Sequence, residues 1–299
     1  MKKNLEKILK RHGCLEITSN LIAKGYSDWN MISISDDILG NCGVYNPIRR
    51  RNLIKAFKRR AKMKPQLGEM VAVEGGTFGW RSSLNGLNLD SFKIGIYAVT
   101  MQEWREVRAW AQGNNFDMAT GEAGGEMHPV TMINWYDCLK WCNARSLMEG
   151  MTPVYKFEDQ KTYQRGEFPS SDAQKIVLDP QANGYRLPTD AEWEWAASGG
   201  VKSQGFRFSG SNYIRTVGWY IDNCEEAHSV GEKRANELGI FDMSGNVWEW
   251  CWDFKDSAQR VRGGSWSCYV YDCDIADRST LCGAEYNGID IGFRLVRNK

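Results

Sequence analysis

The chain holds 299 residues, with 13 Trp, 30 Gly, 9 Cys and a formal net charge of +1 at pH 7. That length can bury a sizeable core in one large domain or two, and no apolar run approaches the roughly 18 residues of a membrane span. An odd cysteine count without a CxxC pair argues against a disulfide framework, and three scattered histidines (His12, His128, His228) argue against a histidine-rich metal centre.

Charge divides the chain. Residues 1–66 hold fifteen Lys or Arg and five Asp or Glu, close to +10, which leaves about −9 for the remainder. Two units are therefore expected, 1–66 and 67–299. In the first, Leu5, Ile8 and Leu9, and later Leu53, Ile54, Phe57 and Ala61, recur at helical spacing, with a helix start at Ser33–Asp37 and a stop at Gly40. This predicts a small bundle of four or five helices. The basic run Arg49-Arg50-Arg51 with Lys58-Arg59-Arg60 carries no base-reading motif, so a solvated helix face is expected rather than nucleic-acid binding. The five Lys or Arg among residues 2–11 precede no apolar segment or cleavage site. No secretory signal is expected, and the location read from the sequence is cytoplasmic. A place at the cell surface would need an export route that the sequence does not announce.

In the second unit, Met70–Phe78 alternates and then turns at Gly75-Gly76, as a strand entering a hairpin does, and Phe92–Tyr97 reads as another strand. Thr100 with Glu103 forms a capping box that opens a helix, with Trp104, Val107 and Trp110 inward. Asn134 caps the next helix, which carries Trp135, Cys138, Leu139 and Cys142 on one face and ends before Gly150. Its two cysteines, one turn apart, read as small core residues. Residues 156–182 are polar and aperiodic, so an insertion loop is expected. Thr189 with Glu192 caps a third helix that stops at Gly199-Gly200. The many Trp, each needing a partner for its indole N–H, imply a loop-rich fold with numerous carbonyl contacts.

The last forty residues run from Arg262-Gly263-Gly264-Ser265-Trp266 to Ile291-Gly292-Phe293-Arg294-Leu295, and both ends read as strands. Between them, Ser267 to Asp290 is crowded with Tyr, Asp, Ser, Cys and Gly and shows no period. Such a mixture suits a binding surface, where Tyr offers rigid amphipathic area and Ser, Gly and Asn offer adaptable hydrogen bonds.

Six segments, Val73–Phe78, His128-Pro129-Val130 with Trp135, Arg186–Thr189, Gly245–Trp250, Arg262–Trp266 and Gly292-Phe293-Arg294, resemble the formylglycine-generating-enzyme-like sulfatase-modifying domain, in that family's order. The resemblance implies an α+β fold, a variant of the C-type lectin fold, dominated by loops, with a modest antiparallel sheet and two flanking helices. In the first unit, the order of Gly25–Trp29, Asp36–Leu39, Gly43 and Arg50–Ala56 is similar to a sterile-alpha-motif domain, which implies protein–protein contact or self-association.

The enzymatic branch of the larger family oxidises a substrate cysteine with copper held by two cysteines. The resemblance carries that pair to Cys268 and Cys273, and two close thiolates would suit a soft cuprous ion. The enzymes then continue with an Arg-rich segment of Ala-Ala-Arg-Ser type, whereas this chain reads Asp274-Ile275-Ala276-Asp277-Arg278. The spacing is more similar to the variable proteins of diversity-generating retroelements, in which the stretch corresponding to 262–294 is randomised at asparagine codons. Framework positions of that pattern fall on Trp266, Cys273, Ala276, Arg278 and Gly292-Phe293-Arg294. Diversified positions fall on Ser267, Cys268, Tyr269, Tyr271, Asp272, Asp277, Ser279, Thr280, Leu281, Cys282, Tyr286, Asn287, Gly288 and Asp290. The genetic code gives a check. Randomising the first two bases of an asparagine codon cannot yield Lys, Gln, Met, Trp or Glu. From Ser267 to Asp290 the first four are absent, and the single Glu285 reads as framework.

The expected function is ligand binding by a diversified surface on a fixed scaffold, without catalysis and without a required cofactor. A copper-dependent cysteine oxidase is the alternative, and a scaffold acting through its helical module is a third class. Tyr269, Tyr271 and Tyr286 are the expected aromatic anchors, Asp272, Asp277 and Asn287 the polar selectors, and a protein the expected ligand. The resemblance also implies structural calcium, held by the carboxylates of Asp242 and Glu249 and the carbonyls of Gly245 and Val247, oxygen donors suited to a hard cation. No nucleophile elbow, Walker loop or GxGxxG after a strand is present.

Overall fold

The computed structural model describes residues 8–23, 35–61, 68–79, 82–166 and 175–299. The expectations placed on Leu5, Ser33 and Gly25–Trp29, and on the side chains of Phe57 to Ala61, lie outside the described residues. The chain divides into two compact units, Met1–Pro65 and Gln66–Lys299.

In the first unit, a 3-10 turn at Leu15–Ile17 leads into α1 (Thr18–Ala23), followed by α2 (Asp36–Asn41) and α3 (Pro47–Ala61). The Ser35 hydroxyl accepts the Ile38 N–H at 3.3 Å, and Asp36 and Asp37 place negative charge where the helix dipole favours it. α2 continues through Gly40, the expected stop, and the chain reverses at Gly43, whose φ of 107° is a glycine conformation. Asn46 caps α3, accepting from Ile48 and Arg49, with Pro47 in the first turn, where its missing N–H costs nothing. Leu9, Cys14, Ile17, Leu21, Leu39, Cys42, Val44 and Leu53 form the core. Arg50 is not part of a free basic face. Its Nε pairs with Asp36 at 2.9 Å, and its Nη1 donates to the carbonyls of Val44 and Tyr45.

The second unit carries two principal sheets. In one, β4 (Phe92–Gly95) lies between β1 (Met70–Val73) and β11 (Val296–Asn298), antiparallel to both. The other has the order β10 (Ile291–Phe293), β7 (Trp248–Lys255), β8 (Ala258–Arg262) and β9 (Leu281–Cys282). It is mixed rather than antiparallel, because β10 runs parallel to β7. A small hairpin joins β2 (Gly76–Thr77) to β3 (Asn88–Leu89). Another, β5 (Tyr155–Phe157) with β6 (Ile176–Leu178), corrects the expected insertion loop over 156–182. Strands of three residues are too short for a period of two to show against polar neighbours.

Three capping boxes fix the helices that carry this framework: Thr100 and Glu103 on α4 (Met101–Gln112), Asn134 and Asp137 on α5 (Trp135–Met148), and Thr189 and Glu192 on α6 (Asp190–Ala197). α7 is one turn, Ile214–Val217. α5 was expected to bury one face but is buried on every side from Trp135 to Ser146. Its polar residues serve the core. Asn143 donates to the carbonyls of Tyr155 and Tyr163 at 2.7 and 2.9 Å and accepts the Tyr155 N–H, while Lys140 reaches Asp117 at 2.8 Å. Trp104 and Trp141 stack, and the ring of Phe293 meets both edge-on. The indoles of Trp104, Trp135, Trp141 and Trp195 donate to backbone carbonyls, as the composition implied, whereas those of Trp219 and Trp250 have no hydrogen-bond partner among the described residues. No helix among the described residues is long and apolar enough to cross a membrane.

Candidate ligand-binding face

β8 ends at Arg262, whose wholly buried guanidinium grips the tail from beneath. Its Nε lies 2.9 Å from Asp190 and its Nη2 2.7 Å from Glu194, both on α6. It also donates to the backbone carbonyls of Ile275 (2.9 Å) and Asp277. Arg278 returns from the tail to the same Asp190 and donates to Ser83, and Arg260 pairs with Asp190 at 3.2 Å. Three arginines thus converge on one carboxylate in the first turn of a capped helix. Gly263 and Gly264 follow at φ of 96° and 72°. A Cβ on Gly264 would fall 2.6 Å from the Cys273 sulfur and 3.0 Å from the Asp272 carbonyl, so the turn requires glycine there for both reasons. At the far end, buried Arg294 binds both oxygens of Glu249 and the carbonyls of Gly95 and Phe241.

Between these clamps the fourteen positions divide. Ser267, Tyr269, Tyr271, Ser279, Tyr286 and Asn287 are exposed, the three tyrosines by 56%, 59% and 50%. The rings of Tyr269 and Tyr271 stack at 5.7 Å. Cys268, Asp272, Asp277, Thr280, Leu281, Cys282 and Asp290 are half-buried. Leu281 and Cys282 form β9, paired with Arg260 and Gln259, so part of the stretch expected to be irregular is a sheet edge. Gly288 is buried and corrects its placement on the surface. Its carbonyl accepts the Met132 N–H, and a Cβ there would meet the Tyr286 hydroxyl at 2.5 Å and Asp290 at 2.9 Å. Asp290 points back into the structure, accepting from Ser265 and Ser267 at 2.9 Å each.

Four exposed residues escaped the sequence reading, among them Glu285, which was expected in the framework. Ile289 is 59% exposed between Gly288 and Asp290, and a search for polar and tyrosyl positions passes over it. Ala276, expected in the framework, is exposed. Ile221 adjoins the face through its N–H, which donates to the Cys268 carbonyl at 3.1 Å, and no local signal connects segments so far apart in sequence.

The two cysteines of the oxidase alternative differ. Cys268 is half-buried, with its sulfur 3.1 Å from the Ser265 hydroxyl, and Cys273 is wholly buried against Gly264. Burial raises both thiols, Cys273 far above its ordinary range, and the carboxylates of Asp272 and Asp290 push Cys268 the same way.

Of the two expected calcium carboxylates, Asp242 offers a free oxygen and Glu249 is engaged, and among the described residues no group of three or more His, Cys, Asp or Glu is placed to hold a metal ion. Asp242 is fully buried. Its Oδ2 accepts the Gly231 N–H at 2.7 Å, and its Oδ1 has no hydrogen-bond partner among the described residues. Burial, reinforced by the charge of neighbouring Glu249, pushes the Asp242 carboxyl up to about 6. Glu249 is already bound by Arg294 and by the Trp193 indole at 2.7 Å. An orphaned carboxylate oxygen beside an excess of negative charge is the environment a hard cation relieves.

The family model of the sulfatase-modifying factor enzyme 1-like domain matches residues 55–299. The chaperone protein LppX of Paenibacillus barcinonensis is 37% identical over 262 residues, which cover 77% of this chain and 90% of that protein. Of solved structures, CarF superposes with a TM-score of 0.69 at 30% identity, over 77% of this chain and 98% of that one. Treponema denticola variable protein 1 gives 0.63 at 28% identity, over 77% and 95%. The loop-rich α+β fold expected from the sequence, formylglycine-generating-enzyme-like and C-type-lectin-like, is the fold found.

Proposed function

We propose, for a chain that belongs to the sulfatase-modifying factor enzyme 1-like family, that it binds a protein ligand through the exposed side chains of its C-terminal tail and does so without catalysis. The observation that carries this reading is that Tyr269, Tyr271 and Tyr286 stand in solvent on a backbone held from below by buried Arg262. Exposed aromatic rings on a fixed backbone lose little conformational freedom on binding, which suits them as anchors. Similarity to a protein named a variable protein supports recognition by a changeable surface, and similarity to a protein named a chaperone accords with a protein partner. Diversification of 262–294 by a retroelement belongs to the same proposal.

Calcium at Asp242, Glu249 and the carbonyls of Gly245 and Val247 would be structural, bracing the loop that precedes β7. The helical unit is proposed to contact a partner or a second copy. The competing oxidase reading is opposed by the enclosure of the Cys273 sulfur, which is wholly buried against Gly264. Copper titration with a cysteine peptide and oxygen tests the choice. The binder leaves the peptide thiol intact, and turnover to an aldehyde would reject the proposal. A near-copy of the segment encoding Arg262 to Arg294, differing at adenines and lying beside a reverse transcriptase, would be the mark of diversification, and a gene without one would remove that part.

A further inference from the structure

Next to the tail lies a cleft of about 570 Å³, within the size range of ligand sites. Its walls come from the β2–β3 hairpin, from the end of α6 and the segment after it, and from Asp274 to Ala276. None of its lining residues is among the fourteen diversified positions. It is therefore a constant feature that adjoins a changeable one.

The chemistry of the lining is specific. Phe78 and Trp195, both largely buried, meet edge-on at 5.0 Å in the cleft wall, the Trp195 N–H is already given to the Glu74 carbonyl, and half-buried Phe206 adds a third ring to the lining. The charges present are matched. Glu194 is taken by Arg262 and Ser82, and Asp274 is held by Arg207 at 2.8 Å. Neither sign is left in excess for an ionic ligand. Donors and acceptors remain at the rim, where Gln204 and the Nη nitrogens of Arg207, whose guanidinium lies 4.9 Å over the Phe208 ring, have no hydrogen-bond partner among the described residues and the Ser203 hydroxyl only accepts from Gly205. Aromatic carbon inside, balanced charge and uncommitted polar groups at the edge suit an uncharged ring that carries a hydrogen-bonding tip.

We infer that this cleft is a fixed subsite that receives an uncharged aromatic side chain, of tyrosine type, from the polypeptide bound on the adjoining face. The inference rests on the reading of that face as one that binds protein. The Arg207–Asp274 pair and the Ile275 N–H, which donates to the Arg207 carbonyl, tie the cleft wall to the tail backbone. A ligand spanning both would meet a constant anchor and a changeable surface side by side. Such an anchor would let the tail vary without losing all affinity at each change.

Saturation-transfer NMR on the full chain tests this with N-acetyl-tyrosinamide as the probe, alongside N-acetyl-lysinamide, N-acetyl-glutamate and methyl glucoside. Ser203 and Ala276 are both exposed and both line the cleft, so Ser203→Trp and Ala276→Trp should obstruct it in a folded protein, as thermal melts would verify. The tyrosine probe is expected to show transfer that both blocking variants abolish. The triple variant Tyr269→Ala, Tyr271→Ala, Tyr286→Ala is expected to leave that transfer unchanged. Transfer that survives blocking, that is equal for the charged probes, that appears only for the glucoside, or that is absent throughout would overturn the inference. Loss of transfer in the triple variant would also overturn it, by placing the probe on the tail. None of these outcomes touches the reading of the tail itself, which is tested by loss of partner binding in the triple variant.

Discussion

The carboxylate of Asp290 accepts a hydrogen bond from the Ser265 hydroxyl at 2.9 Å, joining residues 25 positions apart at the two mouths of the tail. Ser267 donates to the same oxygen at 2.9 Å. The loop is closed at its base by this contact, much as its underside is held by Arg262. Position 290 thus serves the geometry of the loop more than its surface.

Replacing Asp290 with alanine leaves the buried Ser265 hydroxyl and the exposed Ser267 hydroxyl without this acceptor. The expected loss is about 1–3 kcal/mol of unfolding free energy, read from urea denaturation. Asp290→Asn keeps one acceptor oxygen and should recover part of it. A neutral Asp290→Ala would mean that the loop is closed by other contacts.

Asp190 carries a heavier burden, because it is buried and faces Arg260, Arg262 and Arg278. Asp190→Ala strands buried positive charge and should cost about 3–5 kcal/mol. By contrast, converting Tyr269, Tyr271 and Tyr286 to alanine removes exposed rings and should shift stability by no more than about 0.5 kcal/mol each, while abolishing binding to a partner. Chemical denaturation of both variants measures the contrast. Equal losses would show that the tyrosines belong to the core rather than to the surface.

Arg186 holds Glu192 through two bonds of 2.6 and 2.7 Å. Burial works to raise the Glu192 carboxyl, and the guanidinium more than offsets it, so the group sits below its ordinary 4.5. A depressed carboxyl stabilises the fold fully above its unfolded value and loses that contribution as pH falls through its folded one. The Glu192→Gln variant should be less stable than the parent at pH 7, and the difference should shrink below pH 4.5. Melting curves from pH 7 to pH 3 give the test, and a difference that stays constant would contradict it.

Calcium should raise the melting temperature of the parent protein at pH 7 and leave Asp242→Asn unmoved, since the orphaned oxygen of Asp242 is lost or neutralised there. Calorimetry with calcium and with chelator reads the shift. An equal response of both proteins would place the ion elsewhere.

Much of this architecture is legible in residues that act locally. The capping boxes at Thr100, Asn134 and Thr189 satisfy their own helix termini, so neighbours three apart suffice to reveal them. The tail is legible as a surface because Tyr269, Tyr271 and Tyr286 sit among small polar residues. What stays hidden is set by partners distant in sequence. Nothing near Arg262 announces Glu194, and nothing near Asp290 announces Ser265. Gly288 reads as adaptable surface because glycine fits a turn as readily as a buried close approach. The short strands β5, β6 and β9 draw their stability from pairing, not from propensity.

Randomising Ser267, Tyr269, Tyr271, Ser279, Tyr286 and Asn287 together, and selecting the displayed library against a protein the parent does not bind, tests the central claim most directly. Recovered binders that differ from the parent at these six positions and melt as the parent does are the predicted result. A library whose members unfold, or one that stays folded and yields no binder, would contradict it.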